Sequence, residues 1–290
     1  MQPSVEPISK YKIMNPEVSR YYDYTLPFYK FFWHEGTNAI HYGYWDDDTK
    51  SHKEALINTN KTLADLVEPS RLSKVLDAGC GVGGSSIWLA QNYGTHVVGV
   101  TISSKQKKQA DKNAQKACVE NLTEFYLRDY RHTGFTDSSF DIVWGLESVC
   151  HAEDKKDFLR EAYRVLKPGG KLIIADGFLT RLPKTTIEKH VYDVFIRGLA
   201  LSNLATIGEF QEGLTRAGFK NIQMFNKTPH IQKTAQHMYG ISCRWVKIFA
   251  IARALRLVPQ MIVDTINAGL VQLDFFTKGV GGYYVFYAEK

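Results

Sequence analysis

Hydrophobic and polar positions alternate along the middle of the chain in two rhythms. Short apolar runs at Lys74–Ala78, His96–Val100, Glu124–Arg128, Phe140–Gly145 and Lys171–Asp176 read as strands. Residues 85–93, 103–117 and 154–166 carry helical spacing, and each such stretch falls between two strands, as parallel β-α-β crossovers require. Lys167-Pro168-Gly169-Gly170 predicts a sharp turn after the third of these. A helix over 208–217, a strand at Asn221–Asn226 and an aromatic, β-branched final strand at Gly282–Ala288 bring the strands to seven. Upstream, residues 52–67 predict an amphipathic helix with Ala55, Leu56, Thr59, Leu63, Leu66 and Val67 near one face.

Three stretches fall outside this rhythm. Residues 17–45 are dense in Tyr, Phe and Trp, which at helical spacing are packing residues first of all; Asp46, Asp47 and Asp48 follow as a solvated turn. Residues 177–207 and 227–281 exceed ordinary connection lengths and are helix-prone. All three are expected over the carboxyl ends of the strands, where open α/β sheets bind ligands.

Composition narrows the class. At 290 residues, 44% hydrophobic and 23% charged, the chain can bury its own core without a disulfide or metal staple. The net charge of +6 is too small and too dispersed for a nucleic-acid stripe, so no nucleic-acid partner is expected. Cys80, Cys118, Cys150 and Cys243 form no CxxC pair, so neither a zinc knuckle nor a disulfide framework is indicated, no metal is expected, and a reducing cytoplasmic setting follows. Residues 1–20 lack a signal-peptide core, and no apolar run reaches the length of a membrane span. Arg244–Leu257 mixes basic and apolar residues, as a lid helix touching a membrane surface or an ordinary amphipathic helix would.

The chemistry concentrates in Val75-Leu76-Asp77-Ala78-Gly79-Cys80-Gly81-Val82-Gly83-Gly84, a strand, a glycine-rich turn and a helix start. Such a turn lets the backbone approach a ligand while the next helix presents its N-terminal amides. The glycines run GxGxGG and not GxGxxG. Asp77 would repel a pyrophosphate, and the second strand, Val98-Gly99-Val100-Thr101-Ile102-Ser103, ends without the acidic residue that binds the ribose of NAD. A cofactor carrying a positively charged amino group fits better, and an NAD-dependent oxidoreductase fits worse.

With these motifs the chain resembles the class I S-adenosylmethionine-dependent methyltransferases. VLDAGCGVGG is similar to that family's first motif, FDIVWGLESVCHAED to its fourth-strand motif and RVLKPGGKLIIAD to its fifth-strand motif, in order, across roughly residues 60–176. Within the class it is most similar to the sterol side-chain and tocopherol C-methyltransferase group, through VVGVTISSKQ (97–106), LESVCHAED (146–154) and SRYYDYTLPFYKFFW (19–33). HYGYWD (41–46) looks more like the tocopherol and small-molecule members. The resemblance implies a Rossmann-like, seven-stranded, mostly parallel sheet with an antiparallel last strand, helices on both faces and a helical cap. It implies residues 1–60 as an aromatic-rich lid segment, 61–176 as the S-adenosylmethionine-binding core, and 177–290 as the rest of the sheet with the substrate cap, all within one domain.

Residue roles follow from the same resemblance. Gly79, Gly81 and Gly83 should wrap the methionine part of the cofactor, with Asp77 toward its amino group. Thr101, Ile102 and Gln106 should border the ribose or serve plain packing. Asp129 should accept from the adenine amino group with Tyr130 beside the ring, and Leu146 should end near the sulfonium methyl. Glu147 is a candidate base or stabiliser of a cationic intermediate. His151, four residues on, is a candidate base or a structural histidine. Tyr22, Tyr42 and Tyr44 line the pocket or pack the core, and Cys150 is expected to be a small buried hydrophobe. The implied reaction is methyl transfer to a small lipophilic acceptor, a sterol, prenyl quinol or related isoprenoid, with carbon favoured. The alternative is an amine or phenol as acceptor. A cyclopropane-forming activity is disfavoured because Gly43 stands where that subgroup's cysteine is expected. Monomer and homodimer stay open, as does peripheral membrane contact.

Overall fold

The computed structural model describes residues 16–33 and 35–290. Seven strands form one sheet: β1 (Lys74–Ala78), β2 (His96–Thr101), β3 (Thr123–Leu127), β4 (Phe140–Leu146), β5 (Leu166–Leu179), β6 (Lys220–Asn226) and β7 (Gly281–Glu289). Their spatial order is β3-β2-β1-β4-β5-β7-β6. β1 to β5 pair in parallel, and β7 lies antiparallel between β5 and β6. The mostly parallel sheet with a reversed last strand is therefore as expected.

Strand side chains alternate between two buried layers, which is why these runs are apolar throughout rather than at every second position. Val75, Val97, Ile142, Trp144, Ile173, Val285 and Tyr287 belong to one core cluster; Leu76, Val98, Val143, Leu172, Ile174 and Phe286 belong to the other. α2 (His52–Val67) and α3 (Gly84–Tyr93) pack on the first face. α5 (Lys155–Val165) and α7 (Ile207–Ala217) pack on the second through Phe158, Leu159, Phe210 and Leu214. α4 (Ser104–Lys116) meets α3 and β3 in a smaller cluster around Ala110, Ala114 and Phe125.

Local chemistry fixes the helix starts. Ser51, Ser103 and Asp154 cap α2, α4 and α5, and Thr206 with Glu209 forms a reciprocal capping box on α7. The turn at 167–170 is a bulge inside β5: Leu166 pairs with Phe140, Lys171 pairs with Ile142, and Gly169 is left-handed between them.

The three stretches outside the strand-helix rhythm are helical. They are α1 (Pro16–Phe32), α6 (Thr186–Gly198), and the pair α8 (Thr228–Ala254) and α9 (Gln260–Thr277). α1 crosses the carboxyl end of β2, where Ser19 Oγ donates to the Ile102 carbonyl (3.0 Å) and Ser103 Oγ donates to Asp23 (2.5 Å). The 38–45 segment is clasped by α2 and α8: Tyr44 N–H donates to the Ala55 carbonyl and Trp45 N–H to the His230 carbonyl, both at 2.9 Å. A Cβ on Gly43 would lie 2.7 Å from Ala55 Cβ, so this position takes nothing larger than glycine. The call on residues 1–15 of the lid segment lies outside the described residues, as does His34.

Candidate active site

Strand order reverses between β1 and β4, and a crevice opens at their carboxyl ends, as the switch point of an open α/β sheet requires. It encloses about 920 Å³ with its mouth included, the size of a site for a drug-sized ligand. Asp77, Gly79 and Gly81 line it from the β1 turn, and Thr101, Ile102 and Gln106 from the β2 end. Asp129 and Tyr130 enter after β3, and Leu146, Glu147 and His151 after β4. Tyr22, Ile40 and His41 close it from the N-terminal segment.

The glycine turn is held by contact with the next loop. Gly79 has φ +97°, and a Cβ there would sit 2.3 Å from Ser148 Cβ. Ser148 Oγ in turn donates to the Ala78 carbonyl at 2.5 Å, tying the β1 and β4 ends together. Gly81 is also left-handed, but a Cβ there would meet nothing closer than 3.7 Å, so it faces the cavity. Gly83 departs from expectation. It caps α3 outside the lining, with a would-be Cβ 3.0 Å from the Phe125 ring, so it is a packing glycine, and Gly84 lines the crevice instead.

Asp77 is buried and accepts from Ser86 Oγ at 2.6 Å; burial raises its pKa to about 6. Thr101 Oγ1 donates to Gln106 Oε1 (2.8 Å), which leaves the Gln106 amide N–H groups for the cavity side. Asp129 receives a two-pronged contact from Arg131, Nε at 3.0 Å and an Nη at 2.7 Å, so a further donor must share its oxygens. Tyr130 Oη donates to the Ser148 carbonyl (2.8 Å).

A second cavity adjoins the first and shares Tyr22, Ile40, His41, Glu147 and His151 with it. Its other walls come from α1 (Tyr21, Tyr29), Trp33, α6 (Phe195), Leu199, Leu201 and Leu204 just after it, α8 (Met238), α9 (Gln272, Phe276) and Tyr283. Tyr42 belongs here and not to the first cavity, whereas Tyr44 packs in the core. Cys150 is half-buried on the wall.

Glu147 stands at the junction. It is a non-glycine residue at φ +47°, a strained conformation that aims its side chain. Oε1 accepts from the Tyr42 backbone N–H (2.6 Å) and from Tyr283 Oη (2.7 Å). Among the described residues, no hydrogen bond falls on Oε2. Burial outweighs both donors and raises the carboxyl to about 8, so it is largely protonated at neutral pH. His151 ends a single 3₁₀ turn, Val149–His151. Its Nδ1 lies 3.4 Å from the Ala200 carbonyl, which only accepts, so Nδ1 carries the proton. Nε2 then accepts from Tyr22 Oη at 2.8 Å. Burial lowers His151 to about 4, so the ring is neutral.

Sequence reasoning missed several residues here. Asp176, in the second half of β5, accepts from the Cys150 N–H (2.9 Å) and holds the 3₁₀ turn. Lys155, nearly buried, donates to the carbonyls of Cys150, Ala152 and Asn203 and pins the same turn. Tyr283 and Gln272 reach the site from the far end of the chain. Only Asp176 carried a signal, as the last residue of the fifth-strand motif.

Residues 76–174 match the family model described as a methyltransferase domain. The 27-O-demethylrifamycin SV methyltransferase of Amycolatopsis mediterranei is 33% identical over 230 residues, 78% of this chain and 83% of that protein. This chain belongs to the S-adenosylmethionine-dependent methyltransferases. The 24-methylenesterol C-methyltransferase 2 of Arabidopsis thaliana is 30% identical over 236 residues, 79% of this chain and 65% of the relative. Tocopherol O-methyltransferase of the same plant is 33% identical over 169 residues, 54% of this chain and 48% of the relative, so the chain spans about half its length. That relative is named for oxygen where a tocopherol C-methyltransferase was expected, and the relatives thus include both kinds of acceptor atom. In structure, the cyclopropane synthase MmaA2 from Mycobacterium tuberculosis superposes with a TM-score of 0.82 at 19% identity, over 96% of this chain and 98% of that one; the likeness is one of fold.

The methyltransferase's cofactor is S-adenosylmethionine, and the first cavity suits it. A buried carboxylate, Asp77, faces a cradle whose glycine turn leaves the backbone open, with the amide N–H groups of Gln106 beside it. Among the described residues, no helix is long and apolar enough to cross a membrane.

Proposed function

We propose that this methyltransferase acts on a small lipophilic acceptor, a sterol, prenyl quinol or related isoprenoid, with carbon as the methylated atom. The observation that carries the reading is the second cavity, whose walls are aromatic and aliphatic and which meets the first at Glu147. The cofactor supplies a methyl group on an electrophilic sulfonium. The chain contributes alignment, exclusion of water and a place for charge. Asp77, Gly79 and Gly81 hold the amino-acid end, Thr101, Ile102 and Gln106 border the ribose, and Asp129 with Tyr130 meets the adenine. If the acceptor is an alkene, its electron pair would form the new carbon–carbon bond as the methyl–sulfur bond breaks with its pair left on sulfur, and the cation left on the acceptor would then lose a proton to a base. The faces of Tyr22 and Tyr42 and the Glu147 carboxyl stabilise that cation.

Two buried polar atoms in the second cavity support an acceptor with an oxygen at one end. Gln272 Nε2 and His41 Nε2 have no partner among the described residues. His41 Nδ1–H donates to the Tyr42 carbonyl (2.9 Å), so its Nε2 offers a lone pair, while Gln272 offers N–H groups. A hydroxyl satisfies both kinds of group.

A second reading, oxygen or amine methylation, is favoured by the neutral His151, whose Nε2 lone pair faces the Tyr22 hydroxyl at the junction. It also agrees with the name of the relative that aligns over most of its length. Cyclopropane formation ranks last because of Gly43. The described part of the 1–60 segment and the stretches 177–207 and 227–281 serve as lid and cap over the 61–176 core.

We also infer a cytoplasmic enzyme that touches a membrane face. Ile248, Ile251, Leu255 and Leu257 are exposed at the end of α8 and just beyond it. Between residues 244 and 257 the chain has four cations and no acid. This combination suits an anionic bilayer.

The test is transfer of isotope-labelled methyl to sterols, prenylated quinols, amines and phenols. Label in the sterol or quinol carbon skeleton supports the proposal. Label confined to an oxygen or nitrogen moves the enzyme to the second reading. His151→Gln tests the base in either reading: a loss of about 10²-fold or more in kcat marks a base, and less than about tenfold marks a bystander.

A further inference from the structure

A cluster of metal-ligating side chains lies outside both cavities. Glu35, His52 and His237 come from the turn after α1, the first residue of α2 and the middle of α8. Each offers one ligand atom, and the three atoms lie within 4.8 Å of one another. Glu35 Oε1 is 3.3 Å from His52 Nδ1, and the His52 and His237 rings lie 4.9 Å apart and tilted by 35°. Trp33 packs edge-on against His52 with ring centroids 4.7 Å apart.

Two imidazoles and a carboxylate are a known protein ligand set for tetrahedral zinc, with water in the fourth position. His52 is only 7% exposed and Trp33 packs on its ring, so it is the fixed member of the three, with Nδ1 turned toward Glu35. Zinc–ligand bonds of about 2.0–2.2 Å need ligand atoms roughly 3.3 Å apart, and His52 Nδ1 and Glu35 Oε1 already stand at that separation, the hydrogen bond between them giving way when Nδ1 binds the ion. Glu35 and His237 are exposed, so their side chains can turn toward the fixed His52.

We propose that Glu35, His52 and His237 form a binding site for one divalent transition ion of the zinc type, joining the turn after α1 to α2 and α8. The ion would brace Trp33, which lines the second cavity and donates its indole N–H to the His41 carbonyl (3.1 Å). The role is structural, a clip on the segment that closes over the acceptor, and it does not depend on which acceptor is methylated.

The test uses the tag-free full chain stripped with a chelator. Zinc is titrated against a chromophoric competitor, and cobalt(II) is followed by its visible ligand-field absorption. One zinc per chain is expected, with a cobalt spectrum of low coordination number. His237→Ala, at an exposed position that leaves folding intact, should weaken zinc binding at least about tenfold, and Glu35→Gln should also weaken it. The thermal midpoint of the native chain should rise with zinc concentration and that of His237→Ala should not. Absence of stoichiometric zinc binding would overturn the proposal, as would binding unchanged in His237→Ala, which would locate the ion on other histidines.

Discussion

At about 8, the Glu147 carboxyl is some ten times more often protonated than charged at pH 7. A sulfonium beside it reverses that preference, because a cation favours the charged form of a carboxyl group. S-adenosylmethionine carries that cation, and S-adenosylhomocysteine, its demethylated product, does not. Binding of the first should release a proton from Glu147, and binding of the second should not. The release ties affinity to pH. Below about pH 8, affinity for S-adenosylmethionine should rise toward tenfold per pH unit, then level off. Each unit by which the sulfonium lowers the Glu147 pKa is worth about 1.4 kcal/mol of binding above that point.

The other groups in the site drop out of the comparison. Asp77, at about 6, is proposed to hold the amino end that both ligands share, and on that placement its titration cancels in the ratio of affinities. His41 and His151, at about 4, stay neutral throughout, and Tyr22, Tyr42 and Tyr283 are raised out of range by burial. The assay is calorimetric titration of both ligands between about pH 6 and 9 in buffers of different ionisation heat, which also counts the protons released. Glu147→Gln is the control, since the amide keeps acceptor capacity for Tyr42 and Tyr283 but cannot ionise. An affinity ratio that stays flat over this range, or a slope that survives in Glu147→Gln, would refute the placement of Glu147 beside the sulfonium.

Three shorter expectations follow from the same geometry. Gln272→Leu should raise KM for an oxygen-bearing acceptor about tenfold while leaving the affinity for S-adenosylmethionine unchanged, the loss of roughly one buried hydrogen bond; steady-state kinetics with saturating cofactor would check it. Gly79→Ala should lower stability by about 3 kcal/mol or more and weaken cofactor binding, because its Cβ meets Ser148 at 2.3 Å at a left-handed φ; denaturant unfolding reads the first and calorimetry the second. Without ligand, the thermal midpoint should respond to pH in two opposed ways. Glu147 is raised from 4.5 to about 8, so its contribution is complete below about 4.5 and is lost as pH climbs through about 8. His41 and His151 are lowered from 6.5 to about 4, so theirs is present above 6.5 and lost as pH falls through about 4. Glu147→Gln should remove the alkaline decline and leave the acidic one.

The first cavity was legible because its residues come in short contiguous motifs. Asp77 and its glycines, Thr101 with Gln106, Asp129 with Tyr130, and Leu146 with Glu147 each sit at the carboxyl end of a parallel strand, and the β-α-β rhythm alone brings those ends together. Gly83 shows the limit of a motif: a glycine written into the same turn can serve the packing of Phe125 and not the ligand. The second cavity has no such grammar. Tyr42, Glu147, Gln272 and Tyr283 meet across more than two hundred residues because β7 turns back between β5 and β6, so its first residues arrive at the carboxyl end of β5, one strand away from β4. Whether Gln272 is a core amide or an acceptor ligand depends on whether its N–H groups find a partner after folding. That is a question of three-dimensional satisfaction and not of residue type. The part of the site that fixes the chemistry class is thus written locally, while the part that chooses the acceptor is assembled from α1, α6, α8, α9 and β7, elements whose sequences mark them only as helices and a strand. Acceptor choice can change on this scaffold through substitutions in that assembly with the cofactor motifs intact, so the acceptor should be sought from the unpaired atoms of His41 and Gln272 and not from the motifs.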